Sequence, residues 1–164
     1  MAMTDALLAE YDHEMTVTRK LLERVPDDRF DWRPHPKSMT LGALAQHLAT
    51  IPFWGLVTLT EKELDLGAGP APEPLTTRAA VLEKFDGVTA QTRAALTGRS
   101  DADLLVPWAL KKDGHQIFSM PRAQVWRTFV ISHLIHHRGQ MSLYLRLNDL
   151  PVPSIYGPSA DEIP

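Results

Sequence analysis

No cysteine occurs anywhere in the 164 residues. Its absence excludes disulfides, thiolate nucleophiles, and zinc or iron–sulfur centres held by thiolates, and it fits a reducing compartment. An excess of positive charge is also missing: 17 Lys and Arg stand against 20 Asp and Glu, for a formal net charge of −3. Phosphate backbones are bound by clustered Lys and Arg, so no nucleic-acid partner is expected. There is no run of like charges, no internal repeat and no low-complexity tract. No apolar run reaches the ~20 residues that span a bilayer. The opening residues, from Met1 to His13, show no basic stretch followed by an apolar one. The expectation is therefore no membrane, no signal peptide and a cytoplasmic location. What remains is ordinary globular composition, 44% hydrophobic and 23% charged, at a length that suits one domain over residues 1–164.

Four segments carry helical periodicity. The first spans about 4–25, with Leu7, Leu8, Tyr11, Met15, Thr18, Leu22 and Val25 at helical spacing, capped by Thr4 or Asp5 and ended by Pro26. Phe30 to Lys37 reads as an ordered loop. The second helix starts at Thr40 and runs to about Leu59, with Pro52 bending it by removing one backbone donor. Gly67 to Pro74 reads as a linker without regular structure. The third helix covers about 77–97, with Ala80, Leu82, Phe85, Val88 and Ala95 buried. Residues 98–120 are not helical in pattern. There, Leu104 to Leu110 and Gln116 to Phe118 flank an Asp113-Gly114 pair, the signal of a short β-hairpin. The last helix begins around Pro121 and runs to Asn148, and the tail from Pro151 to Pro164 lies against the helices. The fold class expected is all-α with four long helices, plus a short hairpin before the last one.

The richest segment runs from Ile131 to Gln140. His133 and His137 are four residues apart, so on a helix they stand one turn above each other on one face, the spacing at which two imidazoles share a metal ion. On a regular helix Trp126, Phe129, Val130, His137, Gln140 and Tyr144 all fall within roughly 60° of His133, so the pair points inward along an apolar stripe. His47 sits at the edge of the stripe of Leu44, Leu48, Ile51 and Trp54. If the two helices are neighbours, three imidazoles meet, and coordination positions stay open as in catalytic sites. A lone inward histidine is more often a hydrogen-bonded core residue than a ligand. His136, three residues after His133, also competes with His137, which aligns better with the stripe.

The chain resembles the DinB-like (YfiT-like) superfamily of metal-dependent proteins. The resemblance rests on Trp32-x-Pro34 followed by Ser38 to His47, on His133-Leu-Ile-His-His137-Arg-Gly-Gln140, and on the closing Pro153 to Ser159. It implies a four-helix bundle with a long crossover, often dimeric, so that a homodimer is expected. It also implies one divalent metal ion, zinc or nickel foremost, on His47, His133 and His137, with water completing the shell. Relatives include thiol-dependent S-transferases and a mycothiol-dependent maleylpyruvate isomerase.

A divalent ion on three neutral imidazoles lowers the pKa of bound water or thiol. The chain has no thiol of its own, so the leading expectation is transfer of an external low-molecular-weight thiol to a small electrophilic substrate. The alternatives are a hydrolase using a metal-bound hydroxide and a non-enzymatic, stress-related metal-binding dimer. Gln140 is placed behind a ligand imidazole or as a bridge between helices. Trp54 and Trp126 line a pocket or pack in the core. Asp12, His13 and Glu14 are expected on a solvated helix face, Arg138 outward or at a dimer seam, and Tyr156 and Gly157 in a docking segment.

Overall fold

The computed structural model describes residues 2–67 and 73–162. Its elements, in chain order, are α1 (Met3–Leu22), α2 (Leu41–Thr60), β1 (Glu63–Asp65), α3 (Arg78–Leu96), α4 (Asp101–Leu105), β2 (Pro107–Lys112), β3 (His115–Pro121), α5 (Arg122–Val125), a π-helical segment (Trp126–Ser132) and α6 (His133–Leu147). The fold is mostly helical with a small three-stranded sheet, which corrects the all-α expectation. The linker expected over 67–74 falls mainly on residues 68–72, outside the described residues, as does the end of the tail at residues 163 and 164.

Helix starts follow local capping chemistry. Thr40 accepts a hydrogen bond from the Ala43 amide at 3.1 Å and Thr77 from that of Ala80 at 3.2 Å. For α1 the cap differs from expectation: the helix begins at Met3, Asp5 accepts from the Ala2 amide at 3.1 Å, and the Thr4 hydroxyl donates to the Arg99 carbonyl. α2 runs through Pro52 without a break. It carries no charged residue in 20, as befits a helix covered on several sides: it packs against α3, α6, the π segment and β1. In α3 the residues facing inward are Val81, Phe85, Val88, Thr92 and Leu96, while the expected Ala80, Leu82 and Ala95 are only half-buried. The main core joins Tyr11, Leu21, Leu44, Leu48, Phe85, Trp126, Leu134 and Leu145 from four long helical stretches.

The hairpin forms. β2 and β3 pair antiparallel across Asp113 and Gly114, whose φ values of 51° and 79° are those of a tight turn between twisted strands. Leu104 and Leu105 do not join the strand. Ser100 caps a separate turn of helix there through the Asp103 amide. The third strand, β1, pairs parallel to β2 with Leu64 opposite Leu110. Three residues are too short for any period-2 pattern to show. The sheet closes a second apolar cluster of Val57, Trp108, Leu110 and Val125, with Trp54, Phe118 and Phe129 packed on it.

Candidate metal centre

The helix that carries His47 is held at its start by the preceding loop. The Leu41 amide donates to the Trp32 carbonyl at 2.8 Å and the Gly42 amide to that of Phe30 at 2.9 Å. His133 is the first residue of α6, directly after the seven-residue π segment. Each π turn takes one more residue than an α turn, so a uniform 3.6-residue helix from Trp126 to Tyr144 does not hold. The wider turn separates Trp126 from the face that Phe129 and the histidines share. Trp126 is fully buried against Tyr11, with ring centroids 5.2 Å apart, and it lines neither groove beside the histidines. Segments of this kind often mark functional sites.

Three imidazoles converge. The Nε2 of His133 lies 3.2 Å from the Nε2 of His47 and 2.9 Å from the Nε2 of His137. One ring nitrogen of each of the three lies within 4.8 Å of those of the others. Two nitrogens each about 2.0–2.1 Å from one ion stand roughly 2.9–3.4 Å apart for ordinary bond angles, so the spacing fits a shared ion. His137 Nδ1 donates to Gln140 Oε1 at 2.7 Å, which leaves its Nε2 as a bare lone pair facing the other two rings.

Electrostatics keep the rings in the ligating form. Burial, then the neighbouring His137 and His133, push His47 down to about 4. Burial also holds His133 and His137 below the ordinary imidazole value, with Gln140 partly opposing the shift of His137. All three are neutral at pH 7, as metal ligands must be. They are only half-buried. A groove of about 350 Å³ lined by Thr128, Phe129, Ser132, His133 and His136 opens on one side, and one of about 320 Å³ lined by Met39, Ala43, Gln46, His47 and Thr50 on the other. The arrangement is open to a small molecule.

The remaining expected residues separate. His136 is exposed; its ring centroid is 4.8 Å from that of His137, but its nitrogens do not join the converging set. Trp54 stacks on Phe129 at 6.2 Å, and Phe118 stacks on Phe129 at 4.8 Å. Asp12 pairs with Arg93 at the surface and His13 is exposed. Glu14 and Arg138 are corrections: neither is solvated. Their side chains are 6% and 1% exposed and form an ion pair at 2.6 Å. The sequence does hold a signal for this. Leu134, Arg138, Met141 and Leu145 share a core-facing stripe of α6, and Tyr11, Glu14, Thr18 and Leu21 share one of α1. One acid and one base on two inward stripes are a candidate buried pair.

The profile of the DinB superfamily matches residues 10–141. An uncharacterized protein of Bacillus subtilis (strain 168), YrdA, is 30% identical over 159 residues, covering 96% of this chain and 90% of its own. Among solved structures, a DinB-like protein from Bacillus cereus ATCC 10987 superposes with a TM-score of 0.71 at 24% identity, over 93% of this chain and 97% of its own. A DinB-like protein from Bacillus subtilis, YjoA, gives 0.68 at 18% identity, over 88% and 92%.

Proposed function

The chain belongs to the DinB superfamily, and on that premise we propose that it binds one divalent metal ion through His47, His133 and His137 and uses it to transfer an external low-molecular-weight thiol to a small electrophile. The observation that carries the metal reading is the convergence of three imidazole nitrogens, with His133 Nε2 3.2 Å from His47 Nε2 and 2.9 Å from His137 Nε2. Zinc and nickel both suit three imidazoles. When bound, such an ion supplies Lewis acidity that lowers the pKa of an incoming thiol. The chain's own residues do the rest. Gln140 fixes the His137 ring, and the two grooves admit the reactants.

Thiol transfer is favoured over metal-dependent hydrolysis because neither groove beside the histidines is lined by a carboxylate that could act as general base; with no cysteine in the chain, the thiol is an external one. The half-exposed site speaks against a sealed structural metal. The four long helical stretches support a four-helix bundle in a single domain, with the crossover formed between β1 and β2, whose parallel pairing requires the intervening chain to return. No helix among the described residues is long and apolar enough to cross a membrane.

Metal analysis of protein purified without an affinity tag tests the central claim. The wild type is expected to carry about one ion per chain, and His47→Ala and His133→Ala to lose it. Equal, sub-stoichiometric metal in all three would sink the metal reading. The reaction is tested on the loaded protein with low-molecular-weight thiols and electrophiles, and turnover independent of metal would overturn it.

A further inference from the structure

Next to the histidines, about 100° further round α6, lies a buried charged cluster that plays no part in the chemistry above. Arg138 immediately follows His137, but it points into the core, 1% exposed. Its Nη1 lies 2.6 Å from Glu14 Oε2 and donates to the Glu14 carbonyl at 3.2 Å, with Thr18 Oγ1 a further 3.4 Å contact. Its Nη2 donates to the Tyr156 hydroxyl at 2.5 Å. That hydroxyl sits 2.8 and 2.9 Å from the two Glu14 carboxylate oxygens. The guanidinium carbon also stands 4.9 Å from the Tyr156 ring centroid. Three parts of the chain distant in sequence, α1, α6 and the C-terminal tail, thus meet at one ion pair.

The tail is built to deliver Tyr156 there. Beyond α6, Asp161 accepts from the Val152 amide and Glu162 from the Ser154 amide, both at 2.9 Å, which folds the tail into a hook. Arg24, just beyond α1, holds Glu162 at 3.1 Å and Arg146 of α6 holds Asp161. Tyr156 as a residue is 62% exposed, yet its hydroxyl reaches the buried pair. Apolar packing alone leaves a helix free to roll by a few degrees, because hydrophobic contact has no direction. A guanidinium fork against a carboxylate does have direction. Breaking such a pair leaves a buried charge without its partner, so the contact resists rotation.

We propose that Glu14, Arg138 and Tyr156 form a clasp that fixes the roll of α6 and so positions His133 and His137 against His47. The proposal rests on the metal reading given above. Ligand groups must be held within a few tenths of an ångström for an ion to bind tightly. One turn of α6 here carries His137 on the α2 side and Arg138 on the α1 side. The clasp residues are positioning residues and touch no reactant.

The test is titration of the metal-free full chain with cobalt(II), followed by its visible ligand-field spectrum, in wild type, Tyr156→Phe and Asp86→Ala. Tyr156→Phe removes the hydroxyl and keeps the ring. Asp86→Ala breaks an exposed ion pair with Arg19 and touches neither the tail nor the clasp. With folding confirmed by circular dichroism, Tyr156→Phe is expected to bind cobalt about tenfold or more weakly, the usual consequence of losing a group that holds a ligand in place, and to show a shifted spectrum. Asp86→Ala is expected to keep the wild-type affinity and spectrum. Arg138→Lys retains charge but loses the fork. It serves as the second variant, judged by the same criterion should Tyr156→Phe not fold. If Tyr156→Phe lowers the melting temperature but leaves affinity and spectrum unchanged, the cluster is merely structural and the proposal is overturned. A wild type that binds no cobalt overturns the metal reading itself, and the clasp falls with it.

Discussion

His47 carries the clearest pH signature in the molecule. Its imidazole lies at about 4 in the folded chain, against an ordinary value of 6.5. Below 6.5 the unfolded chain therefore binds a proton at this ring that the folded chain refuses, so the unfolded state is favoured as pH falls. The contribution is fully present above 6.5 and lost progressively as pH falls toward 4. His133 and His137 are shifted the same way by burial and add to it. The metal-free protein is thus expected to lose stability between pH 6.5 and 4 in urea unfolding, and His47→Gln to lose less over the same interval. Equal slopes in the two proteins would show that His47 does not titrate as described. Glu14 and Arg138 teach a different lesson at this scale. Charged residues are read as solvated by default, because burying one costs several kcal/mol unless it is paired. Each looks surface-bound by residue type alone; its place on an inward stripe is the signal to the contrary, and the partner is what makes the burial tolerable.

At the scale of elements, the helix and strand boundaries that rest on local chemistry were legible. Thr40 and Thr77 cap where the hydroxyl-bearing residue precedes an apolar pattern, and Asp113-Gly114 turns the hairpin. The elements without a local pattern were not. β1 is three residues long and exists because Leu64 pairs beside Leu110. The π segment inserts its wider turn where Trp126, Val130 and Ile131 must all reach the core, a demand that neighbours impose from outside. The contact of α2 with the π segment is close at Gly55, where an added Cβ would lie 2.8 Å from Thr92 Cγ2 and 2.9 Å from the Trp126 ring. Gly55→Ala is consequently expected to destabilise by about 1–3 kcal/mol through overpacking, despite the better helix propensity of alanine. A melting temperature unchanged or raised in Gly55→Ala would contradict this packing. Any shift of Trp126 is also expected to appear in the tryptophan near-UV circular dichroism.

For the whole molecule, α2 and the last helical stretch form two walls, one holding His47 and the other His133 and His137. An ion that binds the folded chain alone joins these walls and stabilises the fold by mass action. At about 100 times its dissociation constant the gain is ~2.7 kcal/mol, or roughly 5–11 °C in melting temperature for a chain of this size. The expected result in differential scanning calorimetry is an upward shift with zinc or nickel, which His133→Ala abolishes. A shift of equal size in His133→Ala would place the ion elsewhere. The sequence alone determined the helical periods, the start of α2 at Thr40, the hairpin turn and the His133–His137 pair at ligating spacing, since each of these is encoded within a few residues, while His47 was singled out by the family resemblance. The tertiary structure decided which nitrogens converge, that His136 stays outside, that Trp126 belongs to the core and that Arg138 meets Glu14 under Tyr156. Those facts depend on how one helix is rolled against another, and that roll is set by packing and directional contacts between residues far apart in the chain.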